Sequence, residues 1–142
     1  IFRDDDSLRF DHRYNRRGNQ VGGGSDAVMF WALLERGIPI RYRPDMAVEH
    51  YVEPWRLRRR YFLKLHFVAG RKFGQYQTGE YGRTICGVPP FMVAQALQQW
   101  GKTAVVALQR NSSVVRQAMN GSHATGMVWG RYLRWRKGAQ TE

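Results

Sequence analysis

The sequence contains only one cysteine, Cys86, among its 142 residues. An internal disulfide is therefore excluded, and a reducing compartment is the simplest interpretation. The sequence also lacks an apolar run of the roughly 18 to 20 residues that a membrane-spanning helix needs. Its first residues, which include Asp4, Asp5 and Asp6, are too polar for a signal peptide. A spanning protein is thus disfavoured, whereas a protein bound at a membrane surface is not.

Acidic residues are scarce, above all in the second half of the chain. Lysine and arginine number 23 against 11 aspartates and glutamates, which gives a formal net charge of +12. After Glu80 the only acidic residue is Glu142. This charge favours a polyanionic partner, such as nucleic acid, an anionic membrane surface or a phosphorylated substrate. Hydrophobic residues make up 43% of the chain, which is enough for a packed core.

A glycine-rich turn near the start of the chain precedes an apolar segment. Three glycines come before Ser25 and Asp26, and the apolar residues that follow end at Gly37. This pattern predicts a helix buried on more than one side, with Ser25 as its N-cap and Asp26 in its first turn. Gly37 is typical of the position after a helix end. The alternating segments 38–44 and 46–52 then predict two strands.

The second half predicts helices with basic faces. Pro54 precedes a predicted helix of roughly residues 55–70, and the glycine-rich and polar residues 70–90 predict a loop. Pro89 and Pro90 favour the start of another helix, and a last helix follows with an expected interruption near Asn120 and Gly121. We expect these helices to be amphipathic and to lie at a membrane interface.

Several short motifs follow one another in a set order between residue 8 and about residue 75. They are Phe10-Asp11, Gly23-Gly24-Ser25-Asp26, Arg36-Gly37, Ile40-Arg41-Tyr42, Pro44-Asp45-Met46-Ala47-Val48 and Val52-Glu53-Pro54. In this order they resemble the second half of the catalytic domain of family 2 inverting glycosyltransferases of the GT-A fold. The resemblance implies an α/β fold, with part of a GT-A domain and its mixed sheet over residues 1–75. A helical, basic region is expected over residues 76–142.

The resemblance implies transfer of a sugar from a nucleotide-sugar donor to a hydroxyl acceptor. In the family, the aspartate at the place of Asp26 is the catalytic base that takes the proton from the acceptor hydroxyl. Gly23, Gly24 and Ser25 would then border the substrate, although many relatives carry Glu where this chain has Ser25. The alternative is that Asp26 only stabilises the start of its helix, since first-turn acids are common there.

Two further sites follow from the resemblance. A histidine near the place of His50 helps some relatives to hold a divalent metal, Mn²⁺ or Mg²⁺, whose other ligands would lie in residues absent from this chain. Alternatively, His50 shares a strand face with Val48 and Val52 and is a half-buried histidine. Arg60 and Tyr61 stand where many relatives carry Arg-Trp near the acceptor or the leaving diphosphate. The alternative for Arg60 is a solvated or membrane-facing helix surface.

Aromatic and basic side chains alternate near the carboxy terminus, from Trp129 to Lys137. This composition fits a membrane interface, the stacking of nucleic-acid bases, or a final helix packed on the core with a frayed basic end. Just before and within this stretch, Gly126 and Gly130 have the spacing at which two helices can approach closely. The residues by themselves leave these interpretations open.

Together, these features predict part of a membrane-associated glycosyltransferase of cell-envelope polysaccharide or glycolipid synthesis. The expected partners are a nucleotide-sugar, a carbohydrate or lipid-linked acceptor and an anionic membrane surface, with no nucleic acid. The expected location is the cytoplasm, at the inner face of the cell membrane. The resemblance places the nucleotide-binding half outside this chain, so the chain alone is expected to be inactive. The alternative function is a small basic module that binds nucleic acid or a membrane surface without catalysis.

Overall fold

A computed structural model describes residues 8–14, 21 and 23–138. The helices are α1 (Ser25–Glu35), α2 (Arg59–Tyr76), α3 (Pro90–Leu108) and α4 (Val114–Gly138). Two short 3-10 helices, His12–Tyr14 and Pro54–Leu57, complete the regular structure of this part of the chain. The chain divides into two compact units, residues 1–53 and residues 54–142. The second unit holds α2, α3 and α4.

The predicted α/β fold with a mixed sheet is wrong. The described residues contain no strand, and their only bridge is an isolated one between Ile85 and Val88. Segments 38–44 and 46–52 alternate as strands do, yet they are irregular, and residues 39–52 are all exposed. A strand is stabilised by backbone hydrogen bonds to a neighbouring strand, and neither segment has such a partner among the described residues. Alternation of side chains cannot replace that partner.

Glycine residues flank both ends of α1, as the sequence predicts, but the N-cap residue is not the predicted Ser25. Gly24, with φ 103°, occupies the N-cap position, and Ser25 is the first helical residue. At the other end, the backbone N–H of Ile38 donates to the carbonyl of Leu33 at 3.0 Å, while Gly37 adopts φ 66°. This pattern is a Schellman motif, in which a left-handed glycine follows the last helical turn.

The burial of α1 differs from the prediction. Met29 is its only buried residue, whereas Phe30, Trp31 and Leu34 are exposed. An apolar helix needs neighbouring elements to cover it. The main contact of α1 with another described element is with the short helix His12–Tyr14, which is too small to cover more than one side. The predicted burial on several sides is therefore wrong for the described residues.

In the second unit, α4 packs against both α2 and α3. The Oγ of Ser122 donates to the carbonyl of Leu63 at 2.7 Å, and farther along both helices Gly130 faces Arg71. Because the later residue of α4 contacts the later residue of α2, the two helices run parallel. The loop of residues 77–89 brings the chain back, so that α3 can run antiparallel to α4.

Glycines on both helices form the contact between α2 and α4. A Cβ added to Gly70 or Gly74 of α2, or to Gly126 or Gly130 of α4, would overlap a backbone carbonyl of the other helix. The predicted loop of residues 70–90 is confirmed for residues 77–89 but wrong for residues 70–76, because α2 continues to Tyr76. Its glycines give close helix packing, which can outweigh their low helix propensity. The spacing of Gly126 and Gly130 indicated this approach correctly.

The contact between α3 and α4 depends on larger side chains. The Trp100 ring lies over Gly121, where an added Cβ would fall 3.0 Å from Cδ2, and its Nε1 donates to Thr125 Oγ1 at 2.9 Å. Gln117 Nε2 donates to Gln99 Oε1 at 2.8 Å. The interruption predicted near Gly121 is wrong, since α4 is continuous there. The glycine provides room for the indole ring.

Candidate functional sites

The first candidate site is the turn that leads into α1. Gly23 and Gly24 both have positive φ, 144° and 103°, and Ser25 and Asp26 begin the helix. Asp26 is exposed, and its carboxylate has no hydrogen-bond or ion-pair partner among the described residues. The backbone N–H of Val28 donates to Gly24 at 3.0 Å, which closes the first helical turn. The turn therefore presents an accessible carboxylate at the start of α1.

His50 lies in the irregular part of the first unit and is exposed. Val48 and Val52 are exposed as well, so the half-buried strand face proposed as the alternative for His50 is not observed. In the part of the chain that the structure describes, no group of three or more His, Cys, Asp or Glu side chains is placed to hold a metal ion. The described residues alone therefore do not form the implied metal site.

Arg60 and Tyr61 lie in the second unit, in the first turn of α2, whereas Asp26 belongs to the first unit. Arg60 is exposed and carries its charge into solvent. Tyr61 is half-buried, with its ring edge-on to Trp55 at a centroid distance of 5.2 Å. Tyr61 thus helps to pack the start of α2 on the preceding 3-10 helix, and the guanidinium of Arg60 is accessible to an anion.

Arg131 of α4 is a buried cation that the sequence did not single out. Only 4% of the residue is exposed. Its Nε donates to the carbonyl of Gly87 at 3.1 Å, its Nη1 donates to the carbonyl of Gly79 at 3.0 Å, and the guanidinium lies 5.4 Å from the Tyr81 ring centroid. A buried arginine needs such acceptors to offset its desolvation. Arg131 therefore fastens the loop between α2 and α3 to α4.

Arg134 and Glu80 extend this contact. Arg134 Nη1 donates to the carbonyl of Thr78 at 2.8 Å, and its Nη2 is paired with Glu80. Glu80 also lies 3.7 Å from Arg131. The signal in the sequence was the position of Glu80, since it is the last acid before a long basic stretch. A cavity of about 410 Å³ borders these arginines, but their hydrogen-bonding groups are directed to the loop.

A groove of about 400 Å³, lined by both polar and apolar side chains, lies among α2, α3 and α4. His66, Gln95, Asn120 and His123 contribute polar side chains to its lining. Burial lowers the pKa of His123 below the ordinary value of 6.5, and the nearby His66 lowers it further. The groove is thus lined by an imidazole that stays neutral at neutral pH and by carboxamides. Such groups exchange hydrogen bonds with neutral polar ligands or water.

One side of α3 is apolar and faces solvent. This surface, named here the α3 apolar face, consists of residues spaced four, three, four and four apart, which form one stripe along a helix: Val93, Leu97, Trp100, Ala104 and Leu108. All five are exposed, and Leu97 and Leu108 are exposed to 68% and 84%. The adjacent side of α3, which includes Met92 and Ala96, is buried. The helix thus has a second apolar side without a described partner.

The second unit, which contains this surface, has a large excess of basic residues. Between residues 54 and 138 the sequence has 15 arginines and lysines and one acid, Glu80. Among the described residues, no helix is long and apolar enough to cross a membrane. The second unit therefore combines an exposed apolar helix side with a strongly cationic character.

Comparisons of the chain with protein-family models, with curated proteins and with solved structures found no match.

Proposed function

We propose that this chain is part of an inverting glycosyltransferase that works at an anionic membrane surface and uses Asp26 as its base. The observation that carries the catalytic part is the exposed Asp26 carboxylate in the first turn of α1, directly after two glycines of positive φ. The ordered motifs of the sequence, which resemble those of family 2 glycosyltransferases, support the same role. The base chemistry requires a positioned and accessible carboxylate, and the helix start supplies both.

In the proposed reaction, the acceptor hydroxyl loses its proton to the Asp26 carboxylate as its oxygen attacks the anomeric carbon of the donor. The bond from that carbon to the diphosphate oxygen breaks, and the electron pair leaves with the nucleoside diphosphate. A single displacement of this kind inverts the anomeric configuration. Gly23, Gly24 and Ser25 would border the acceptor, because glycine has no side chain and serine has a small one, which leaves room beside the carboxylate. For Arg60, an exposed cation of the second unit, the resemblance implies binding of an anionic group.

The membrane part of the proposal is supported by the second unit. Its excess of arginine and lysine would attract an anionic leaflet, to which each basic residue near the surface contributes about 1 kcal/mol. A peripheral position at the inner face of the cell membrane would bring the enzyme to a lipid-linked or carbohydrate acceptor. Synthesis of a cell-envelope polysaccharide or glycolipid is the process that this placement fits.

A second function of a different class is a surface-binding module without catalysis. The α3 apolar face and the basic residues of the second unit favour it, because neither feature requires a reaction at Asp26. A nucleic-acid module would share the charge, and its binding would weaken steeply as salt rises. The role of the Asp26 carboxylate separates these functions from sugar transfer.

The test compares Asp26→Asn with the unaltered protein, both expressed from the full reading frame that contains this chain. Release of nucleoside diphosphate is measured over a panel of nucleotide-sugars with Mn²⁺ or Mg²⁺ present. We expect Asp26→Asn to lower turnover about a hundredfold or more, on the scale of a general base. The matched control is Glu35→Gln, which neutralises an exposed carboxylate at the other end of the same helix and should retain activity.

A stability measurement completes the test. Asp26 also lies near the positive end of the α1 dipole, so Asp26→Asn should lower the free energy of unfolding by about 1 kcal/mol or less. Equal activity of Asp26→Asn and the unaltered protein would leave Asp26 only its role at the helix start. If the full-length protein turned over no nucleotide-sugar, the surface-binding function would replace the proposal.

A further inference from the structure

We infer that the α3 apolar face inserts into the interfacial layer of an anionic bilayer, with α3 lying along the membrane plane. This inference rests on the membrane part of the proposed function and identifies the element that makes the contact. Its basis is that α3 is almost entirely uncharged and yet is covered by other described helices on only part of its surface. The helix has 19 residues and only one charged side chain, Lys102, yet it packs mainly against α4.

The α3 apolar face is one stripe of exposed residues, and Phe91 and Val105, which lie outside the stripe, are exposed as well. Leu97 and Leu108 are the most exposed large apolar residues of the helix, Val93 extends the stripe toward its start, and Trp100 lies between the two leucines. Trp100 is anchored through its Nε1 to Thr125, so part of its ring packs inside while the rest borders the exposed side. A helix that is apolar around most of its circumference is normally buried on more than one side. The α3 apolar face therefore requires an apolar partner other than α4.

The charge of the unit selects a bilayer for this role. A second copy of the chain would bring two strongly cationic units together, and their repulsion would oppose a dimer through this face. Nucleic acid complements the charge, but the two most exposed residues of the face, Leu97 and Leu108, are aliphatic and offer no ring on which bases can stack. An anionic leaflet complements both features, since apolar side chains enter the acyl boundary while cations stay at the headgroups.

The end of the α3–α4 hairpin shows this combination most clearly. Leu108 is at the end of α3, Arg110 follows it in the connecting turn, and Arg116 lies in the first turn of α4. Both arginines are exposed. Because no described helix is able to span a membrane, a contact along the surface is the membrane geometry that the unit supports. Apolar and cationic side chains thus meet at the place where the helix would enter the interface.

The first experiment measures binding of the full chain to vesicles of phosphatidylcholine with and without phosphatidylglycerol. We expect binding to the anionic vesicles, and we expect Leu97→Gln with Leu108→Gln to lower the partition coefficient about tenfold or more. Glutamine keeps the helix propensity and adds no charge. The matched control is Leu57→Gln, which alters a residue exposed to 65% outside α3 and should change binding less than about twofold.

A second experiment reports the depth of insertion. An environment-sensitive fluorophore is attached through Leu97→Cys in a Cys86→Ser background, and separately through Leu57→Cys. With anionic vesicles, the label at position 97 should shift to the blue and be quenched by brominated acyl chains, whereas the label at position 57 should change little. Circular dichroism of each variant verifies that the helices are retained.

Several outcomes would overturn the inference. One is unchanged vesicle binding by the double glutamine variant, and another is equal label response at positions 57 and 97. A dimer that Leu97→Gln dissociates, with no vesicle binding, would show that a second copy covers the face. Sugar transfer by the full-length protein without vesicle binding would overturn this inference and leave Asp26 as the base. Vesicle binding without any sugar transfer would support this inference and overturn the proposed role of Asp26 as the base.

Discussion

Gly126 of α4 lies so close to Phe67 of α2 that a Cβ on the glycine would overlap the Phe67 carbonyl oxygen. The same Cβ would fall 2.9 Å from the backbone nitrogen of Arg71. Across the contact, a Cβ on Gly70 would overlap the carbonyl of His123. The two parallel helices therefore touch through their backbones, and the contact tolerates no side chain at these positions.

Alanine at these glycines should destabilise the second unit strongly. We expect Gly74→Ala and Gly126→Ala each to lower the free energy of unfolding by about 3 kcal/mol, because the added methyl group forces the helices apart. Gly101→Ala is the matched control, since a Cβ there meets nothing within 4 Å. That change should raise stability by up to about 1 kcal/mol through helix propensity. Urea unfolding followed by circular dichroism measures all three, and a neutral Gly126→Ala would contradict the close contact.

Loss of the Arg131 guanidinium should loosen the loop between α2 and α3. In Arg131→Gln the carbonyls of Gly79 and Gly87 lose their charged donor, which should lower the free energy of unfolding by about 2 kcal/mol. Trypsin should then cleave after the exposed Arg83 faster than in the unaltered chain. Arg136→Gln, which removes an exposed charge one turn later, is the control. Equal cleavage rates in the two variants would show that Arg131 does not hold the loop.

Acidification should destabilise the second unit through His123. Its pKa is lowered in the folded chain, so between that value and 6.5 the unfolded chain binds a proton that the folded chain does not. The free energy of unfolding therefore falls as pH falls through this window. Thermal unfolding at about pH 7.5 and about pH 5.5 measures the effect. His123→Gln should reduce this pH dependence, and an unchanged dependence would contradict the assignment to His123.

Other groups with shifted pKa values titrate outside that window. A hydrogen bond from Arg13 lowers the pKa of Asp11, and one from Arg43 lowers the pKa of Asp45, in each case from an ordinary value of 3.8. Their contributions to stability would be lost only at still lower pH. Both pairs are solvent-accessible, so screening keeps these contributions small.

The hydrogen bond from Trp100 to Thr125 should couple α3 to α4. Thr125→Val removes the acceptor, and Trp100→Phe removes the donor while keeping an aromatic ring over Gly121. A double-mutant cycle of these changes should give a coupling energy of about 0.5 to 1.5 kcal/mol. Chemical unfolding of the four proteins supplies the values. A coupling energy near zero would mean that water satisfies the indole N–H equally well.

Parts of the fold were predictable because they depend on neighbours in the sequence. The end of α1 at Gly37 and the start of α3 at Pro90 follow from the backbone preferences of glycine and proline. The placement of Asp26 in a first helical turn follows in the same way. The spacing of Gly126 and Gly130 indicated a close helix contact, although it did not identify α2 as the partner.

The failed predictions concern features that distant residues decide. Segments 38–44 and 46–52 have the alternation of strands, but a strand depends on a partner that local sequence cannot supply. Gly70 and Gly74 suggested a loop because glycine is a weak helix former, while in the structure they contact the backbone of α4. The role of Arg131 was equally hidden, since its acceptors lie about 50 residues earlier in the chain.

The sequence by itself determined the strong positive charge, the exclusion of an internal disulfide, the end of α1 and the start of α3. These properties follow from composition and from backbone preferences over a few residues. The tertiary structure decided which glycines pack, that Arg131 is buried, and that one apolar side of α3 stays exposed. Each of these outcomes depends on contacts between residues far apart in the sequence, which only the folded chain brings within van der Waals distance.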